Sequence, residues 1–177
     1  MNMQATYVGT ATLILEIGPL RLLTDPVFDP AGSHGRVGVI PGTRYASLVG
    51  ASIGPQEVGA LDAVLLSHDH HQDNLDEAGR ALLAKAGKVL TTHTGANRLG
   101  GNTVGLRPWE VAEITGRNTT RIRVTATPCR HGPPFSKPIV GHVIGFLLEW
   151  KGQQDGAVYL SGDTVWFRGI QQLAVIK

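Results

Sequence analysis

The chain has 177 residues, 42% of them hydrophobic and 17% charged, the profile of a single domain over residues 1–177 with a sizeable core and no room for a second full domain. The net charge is only +2 and the basic residues are scattered singly, which argues against nucleic acid as a partner. No apolar run approaches the roughly 20 residues of a membrane-spanning helix, the N-terminus MNMQATYVGT has neither the basic nor the apolar part of a signal peptide, and the single Cys129 has no internal partner, so the expectation is a cytoplasmic protein held by packing, hydrogen bonds or metal.

In chain order, Ala5 to Val8, Thr12 to Ile17 and Leu20 to Thr24 are short β-branched or aliphatic runs with a Gly18-Pro19 turn, and predict an antiparallel meander. From Asp25 to Gly59 the Gly- and Pro-rich sequence breaks any period, as a long functional loop does. Ala63 to Ser67 is a continuous apolar run of the kind buried on both faces of a sheet. Asn74 to Ala86 has helical spacing, closed by Gly87, and Lys88 to Thr92 is the next strand, completing a βαβ unit. Further strands are expected at Val111 to Thr115, Arg121 to Thr127, His142 to Trp150 and Ala157 to Ser161, followed by a helix-like Val165 to Ile176.

The chemistry concentrates where the buried strand ends. His68, His70 and His71 fall within four positions, with Asp69 between the first two and Asp73 just beyond. Neutral imidazole is the commonest metal ligand, and a carboxylate adds a harder donor that balances a divalent charge. On an irregular turn residues two apart can point the same way, so His68 and His70 can grip one ion while Asp69 turns elsewhere. His131 sits on a rigid turn, before Gly132-Pro133-Pro134. Asp163 follows another strand, where a helix N-cap is the competing reading. His34, His93 and His142 are not assigned to metal, and Cys129 reads as a small buried thiol.

Ser67-His68-Asp69-His70-His71-Gln72-Asp73-Asn74 resembles the HxHxDH signature of the metallo-β-lactamase superfamily, in a variant ending HHxDN. Leu20 to Phe28, Thr127-Pro128-Cys129-Arg130-His131-Gly132 and Ser161-Gly162-Asp163-Thr164 follow in the order that superfamily uses, and resemble in particular the branch with L-ascorbate-6-phosphate lactonase and the N-acyl-phosphatidylethanolamine-hydrolysing phospholipase D. The resemblance implies an α/β fold, an αββα sandwich of mixed sheets with outer helices. It implies that His68, His70 and His131 form a first metal site, that Asp73 belongs to a second and that Asp163 bridges both. Asn74 stands where the second-site histidine is usual, unless the register shifts and His71 takes that role. Asp69 is then a candidate to hydrogen-bond metal-bound water or protonate a leaving group, which with Asp73 makes the catalytic set.

The implied cofactor is zinc, one or two ions, with manganese or iron also compatible with nitrogen and oxygen ligands. The implied activity is metal-dependent hydrolysis by a metal-activated hydroxide on an ester, lactone or phosphodiester bond of a small, in some cases phosphorylated, molecule. Arg36, Arg44 and Lys137 are candidates to pair with such an anion, with an ordinary surface charge as the competing reading of each. The family domain has two similar halves and a late metal-binding histidine in the second. This chain ends at Lys177, so the second half is expected to be incomplete. The alternative function is a catalytically weak metal-binding or interaction remnant, and apolar surface left uncovered predicts a homo-oligomer.

Overall fold

The computed structural model describes residues 1–36, 44–116, 119–134, 136, 140–154 and 156–175. The opening meander is β1 (Met3–Gly9), β2 (Thr12–Ile17) and β3 (Leu20–Thr24), antiparallel as its turns predict. The long loop after β3 carries a small hairpin, β4 (His34–Arg36) and β5 (Arg44–Ala46), and Arg36 and Arg44 pair at its described end. Lys137 lies outside the described residues.

Three parallel strands then extend the first sheet: β6 (Ala63–Leu65), β7 (Val89–Thr92) and β8 (Thr103–Leu106), in the order β1-β2-β3-β6-β7-β8. Helices α1 (Glu77–Leu83) and α2 (His93–Leu99) make the crossovers. The second sheet is antiparallel, in the order β12-β11-β10-β9, from β9 (Val111–Thr115), β10 (Arg121–Pro128), β11 (Ile144–Trp150) and β12 (Val158–Leu160). A short α3 (Arg168–Gln171) and a 3-10 turn (Gln172–Val175) follow, where one helix over Val165 to Ile176 was expected; Ile176 lies outside the described residues.

Alternation along each strand explains the layers. Leu15, Ile17, Leu22 and Leu65 face the second sheet and pack against Ile122, Val124, Phe146 and Leu148, whereas Ile14, Leu23 and Val64 face outward under Leu75, Leu82 and Leu83 of the α1 region. The central strands of the first sheet are therefore buried on both faces, unlike the exposed edge strand β1, and the apolar run at β6 has no polar alternation for that reason. No helix among the described residues is long and apolar enough to cross a membrane.

Helix α1 is shorter than the apolar spacing suggests because Asp76 is its N-cap, not part of its first turn. One carboxylate oxygen accepts from the Gly79 amide at 2.6 Å, and the other accepts from the Phe28 amide at 2.5 Å. That second bond ties the long loop to the helix. Helix α2 follows β7 without a connecting loop, with Thr92 as N-cap. It lies close on β8, where a Cβ at Gly105 would come within 2.7 Å of the His93 Cα. Neither α2 nor β8 was expected, since HTGANRL and TVGL carry too few apolar residues to show a period.

Candidate metal centre

The candidate residues come from three chain segments that meet at one rim of the two sheets. His68 to Asp73 occupy the loop leaving β6, His131 the turn leaving β10, and Asp163 the turn leaving β12. Two contacts close this rim. The Ile144 amide at the start of β11 donates to the Ser67 carbonyl at 3.2 Å, bonding one sheet to the other. Gly162 has φ +58°, and a Cβ there would sit 3.0 Å from Cβ of Ser67 and 2.8 Å from the Ile144 carbonyl oxygen, so the turn delivering Asp163 demands glycine.

Donor atoms of His68, His71, His131 and Asp163 all lie within 4.8 Å of one another. Nε2 of His68 is 3.0 Å from Nδ1 of His71, and Asp163 Oδ2 lies 3.9 Å from His68 Nε2 and 3.8 Å from His131 Nε2. Four ligands at about 2.1 Å around a tetrahedral ion stand roughly 3.4 Å apart, and these separations bracket that value. His68 and His71 are fully buried, while His131 and Asp163 are about one-third exposed. Nε2 of His71 and Oδ1 of Asp73 are buried, and neither hydrogen-bonds to another described residue. Buried polar atoms left without partners are what an ion-binding pocket presents without its ion. The residues present fit a divalent cation.

The structure thus gathers His68, His131 and Asp163 and brings in His71 rather than His70. The His70 ring lies 5.0 Å from that of His68, but its Nε2 is engaged 2.5 Å from the Val140 carbonyl oxygen. Asp73 stands outside the four-residue group, within electrostatic reach of Asp163, His131 and His70, and burial raises its carboxyl above the usual range. Asp69 is engaged outside the four-residue group. Both its carboxylate oxygens are taken by the Arg98 guanidinium, at 2.8 and 2.5 Å. Burial pushes its carboxyl up, but the Arg98 hydrogen bonds, helped by His70, outweigh burial and hold it well below the usual carboxylate range. In this arrangement its carboxylate serves Arg98. Among the described residues, His34, His93 and His142 do not join the group, and burial drives the Cys129 thiol up to about 12, the mark of an inert thiol.

Sequence reasoning missed Asp25, Ser67 and Arg98. The buried Asp25 carboxylate accepts the Ser67 amide at 2.6 Å, and Ser67 Oγ meets His68 Nδ1 at 2.9 Å. This chain turns Nε2 of His68 toward the cluster. Asp25 adopts φ +27°, a strained value for a residue with a side chain. A charged residue ending a buried strand, in Thr24-Asp25-Pro26, was the available signal.

These burials set a pH dependence in chelator-treated protein. Burial, then the neighbouring imidazoles, lowers His68 to about 2 and His71 to about 4. As pH falls below their unfolded value of about 6.5, the unfolded chain takes both protons and the folded one does not, so stability is lost. Burial raises Asp25 to about 7 and moves Asp73 and Asp76 upward as well, and these carboxyls work the opposite way. The two imidazoles thus destabilise the fold as pH falls toward 5, while the raised carboxyls work in its favour. Side-chain nitrogen NMR of the chelator-treated protein should show His68 and His71 still neutral at pH 5; protonated rings at that pH would contradict the buried, neutral imidazoles.

The family described as the beta-lactamase superfamily domain matches residues 20–174. The UPF0173 protein YddR of Bacillus subtilis is 24% identical over 177 residues, and the alignment covers 96% of this chain and 66% of YddR. Among solved structures, a possible metal-dependent hydrolase from Veillonella parvula superposes with TM-score 0.77 at 23% identity, covering 99% of this chain and 68% of that one. An isothiocyanate hydrolase from Delia radicum gut bacteria superposes with TM-score 0.72 at 22% identity, covering 95% of this chain and 66% of that one. The chain spans about two thirds of the length of each.

Proposed function

The chain belongs to the beta-lactamase superfamily, and from that premise we propose that it is a metal-dependent hydrolase whose cation is held by His68, His71, His131 and Asp163. The observation that carries this reading is the convergence of three imidazoles and a carboxylate from three remote segments. A divalent cation there supplies acidified water and an electrophile for a carbonyl or phosphoryl oxygen. Zinc suits this donor set, and manganese or iron is compatible with it.

The chain's own residues prepare the pocket. Burial keeps protons off His68 and His71, so their lone pairs are free to bind. Ser67 holds the His68 ring in orientation from its far nitrogen. Asp73, with an unpartnered oxygen and a raised carboxyl, is the group suited to hold a proton beside Asp163 or to serve a second ion. A recess of about 230 Å³, lined by His131, Pro133, Val140, Gly141 and Val143 among others, opens beside His131 and gives a small substrate room. Esters, lactones and phosphodiesters match this chemistry, with phosphorylated lactones and phosphodiesters favoured by the motif resemblance.

Purified protein is expected to carry one or two equivalents of metal by elemental analysis. It should hydrolyse at least one of a panel of lactone, phosphodiester and isothiocyanate substrates, lose that turnover in chelator and regain it with zinc. Absence of bound metal would sink the proposal. Metal without chelator-sensitive turnover would favour a metal-binding module of low activity, a reading supported by the exposure of His131 and Asp163 at the open rim.

A further inference from the structure

The contacts of Asp69 form a second arrangement around the same loop. Asp69 stands between His68 and His70, its side chain only 3% exposed. Two arginines on different helices grip it. Arg98 of α2 binds the carboxylate through Nε (2.8 Å to Oδ2) and Nη2 (2.5 Å to Oδ1), while Arg80 of α1 donates from Nη2 to the Asp69 carbonyl oxygen at 3.0 Å. A planar guanidinium meeting a carboxylate at two points fixes direction as well as distance, which a lysine cannot do. Helix α2 comes close enough that a Cβ at Gly95 would sit 3.0 Å from Asp69 Oδ1. The histidine loop is thus held at one residue, Asp69, by both helices, and the hydrogen bonds of Arg98 go to Asp69 and to none of the four candidate ligands.

We propose that Arg98 is a positioning residue for the cation centre, acting through Asp69 to set the directions in which His68 and His71 present their nitrogens. The inference rests on the metal-binding reading above. The carboxylate between the two imidazoles is a tether to α2, and the half-exposed guanidinium is its anchor. Outer partners of this kind typically change metal affinity about 10- to 100-fold when removed.

The test compares the unaltered protein with Arg98→Met, Arg98→Lys and the double variant Asp69→Asn/Arg98→Met. Zinc affinity is measured by competition with a chromophoric chelator, geometry by the visible absorption of the cobalt-substituted protein, and folding by melts in chelator. Arg98→Met leaves a buried carboxylate unpaired and is expected to melt lower; the double variant removes that charge and should recover part of the loss. Both are expected to bind zinc about 10- to 100-fold more weakly, with an altered cobalt spectrum. Arg98→Lys should fall between them and the unaltered chain. A merely structural role predicts lower melting with unchanged affinity and spectrum, and that result overturns the proposal. Should both methionine variants fail to fold, Arg98→Lys decides: unchanged affinity and spectrum overturn it. An unaltered chain that binds neither zinc nor cobalt sinks the metal reading itself, before any variant is made.

Discussion

Replacing His71 by alanine is expected to remove high-affinity metal binding, whereas replacing His70 is expected to weaken it far less. His71 is 1% exposed, its Nδ1 faces His68 Nε2 at 3.0 Å, and its ring packs edge-on against His68 and 5.1 Å from His131. Removing it deletes one of four convergent donors and leaves a polar void. His70 spends its Nε2 on the Val140 carbonyl and acts on the pocket from outside. The His71→Ala loss should therefore exceed the about 10- to 100-fold typical of an outer partner, and the His70→Ala loss should lie within that range or below it. Zinc competition titrations of the two variants check this, with metal-free melts to show that each is folded. A larger loss for His70 than for His71 would restore the HxH spacing that the signature implies and remove His71 from the centre.

Gly79→Ala is expected to be the most damaging single methyl group in the described chain. A Cβ at Gly79 would overlap the Pro26 carbonyl oxygen and sit 3.0 Å from Asp76 Oδ1. The clash is with backbone of the loop after β3, which cannot rotate away as a side-chain tip can. Asp76 already ties that loop to α1 through the Phe28 amide, so relief requires separating the helix from the loop and losing the cap. Overpacking costs about 1–3 kcal/mol where neighbours can shift, and more where they cannot. A loss of about 3 kcal/mol or more is expected, a large share of the roughly 5–15 kcal/mol that holds a domain together. Urea unfolding curves measure it; a loss under about 1 kcal/mol would show that the loop is not held where Pro26 places it.

Much of this was legible because the strands carry their own periods. The meander, the βαβ unit around β6 and the antiparallel strands after Val111 all follow from apolar alternation or apolar runs. The helix α2 was illegible because His93-Thr94-Gly95 holds no apolar stripe; its place comes from the Thr92 cap and from packing on Gly105. Arg98 was missed with it, since a residue on an unforeseen helix has no address in space. The choice between His70 and His71 was also beyond the sequence. Alternation by two holds for an extended chain, but this loop turns, with the Asn74 and Leu75 amides both donating to the His71 carbonyl. His68 and His71, three apart, then approach to 3.0 Å, a juxtaposition that a spacing rule borrowed from strands does not anticipate.

The hydrogen bond from Ile144 to Ser67 places the pocket at a seam, with His68 and His71 supplied from one layer and His131 and Asp163 from the other. A cation held there, as proposed, would act as a cross-brace. Sliding of the layers would stretch the proposed ligand set, so on this reading occupancy would favour interlayer docking, and a mutation deep between the sheets would loosen the ion without touching a donor atom.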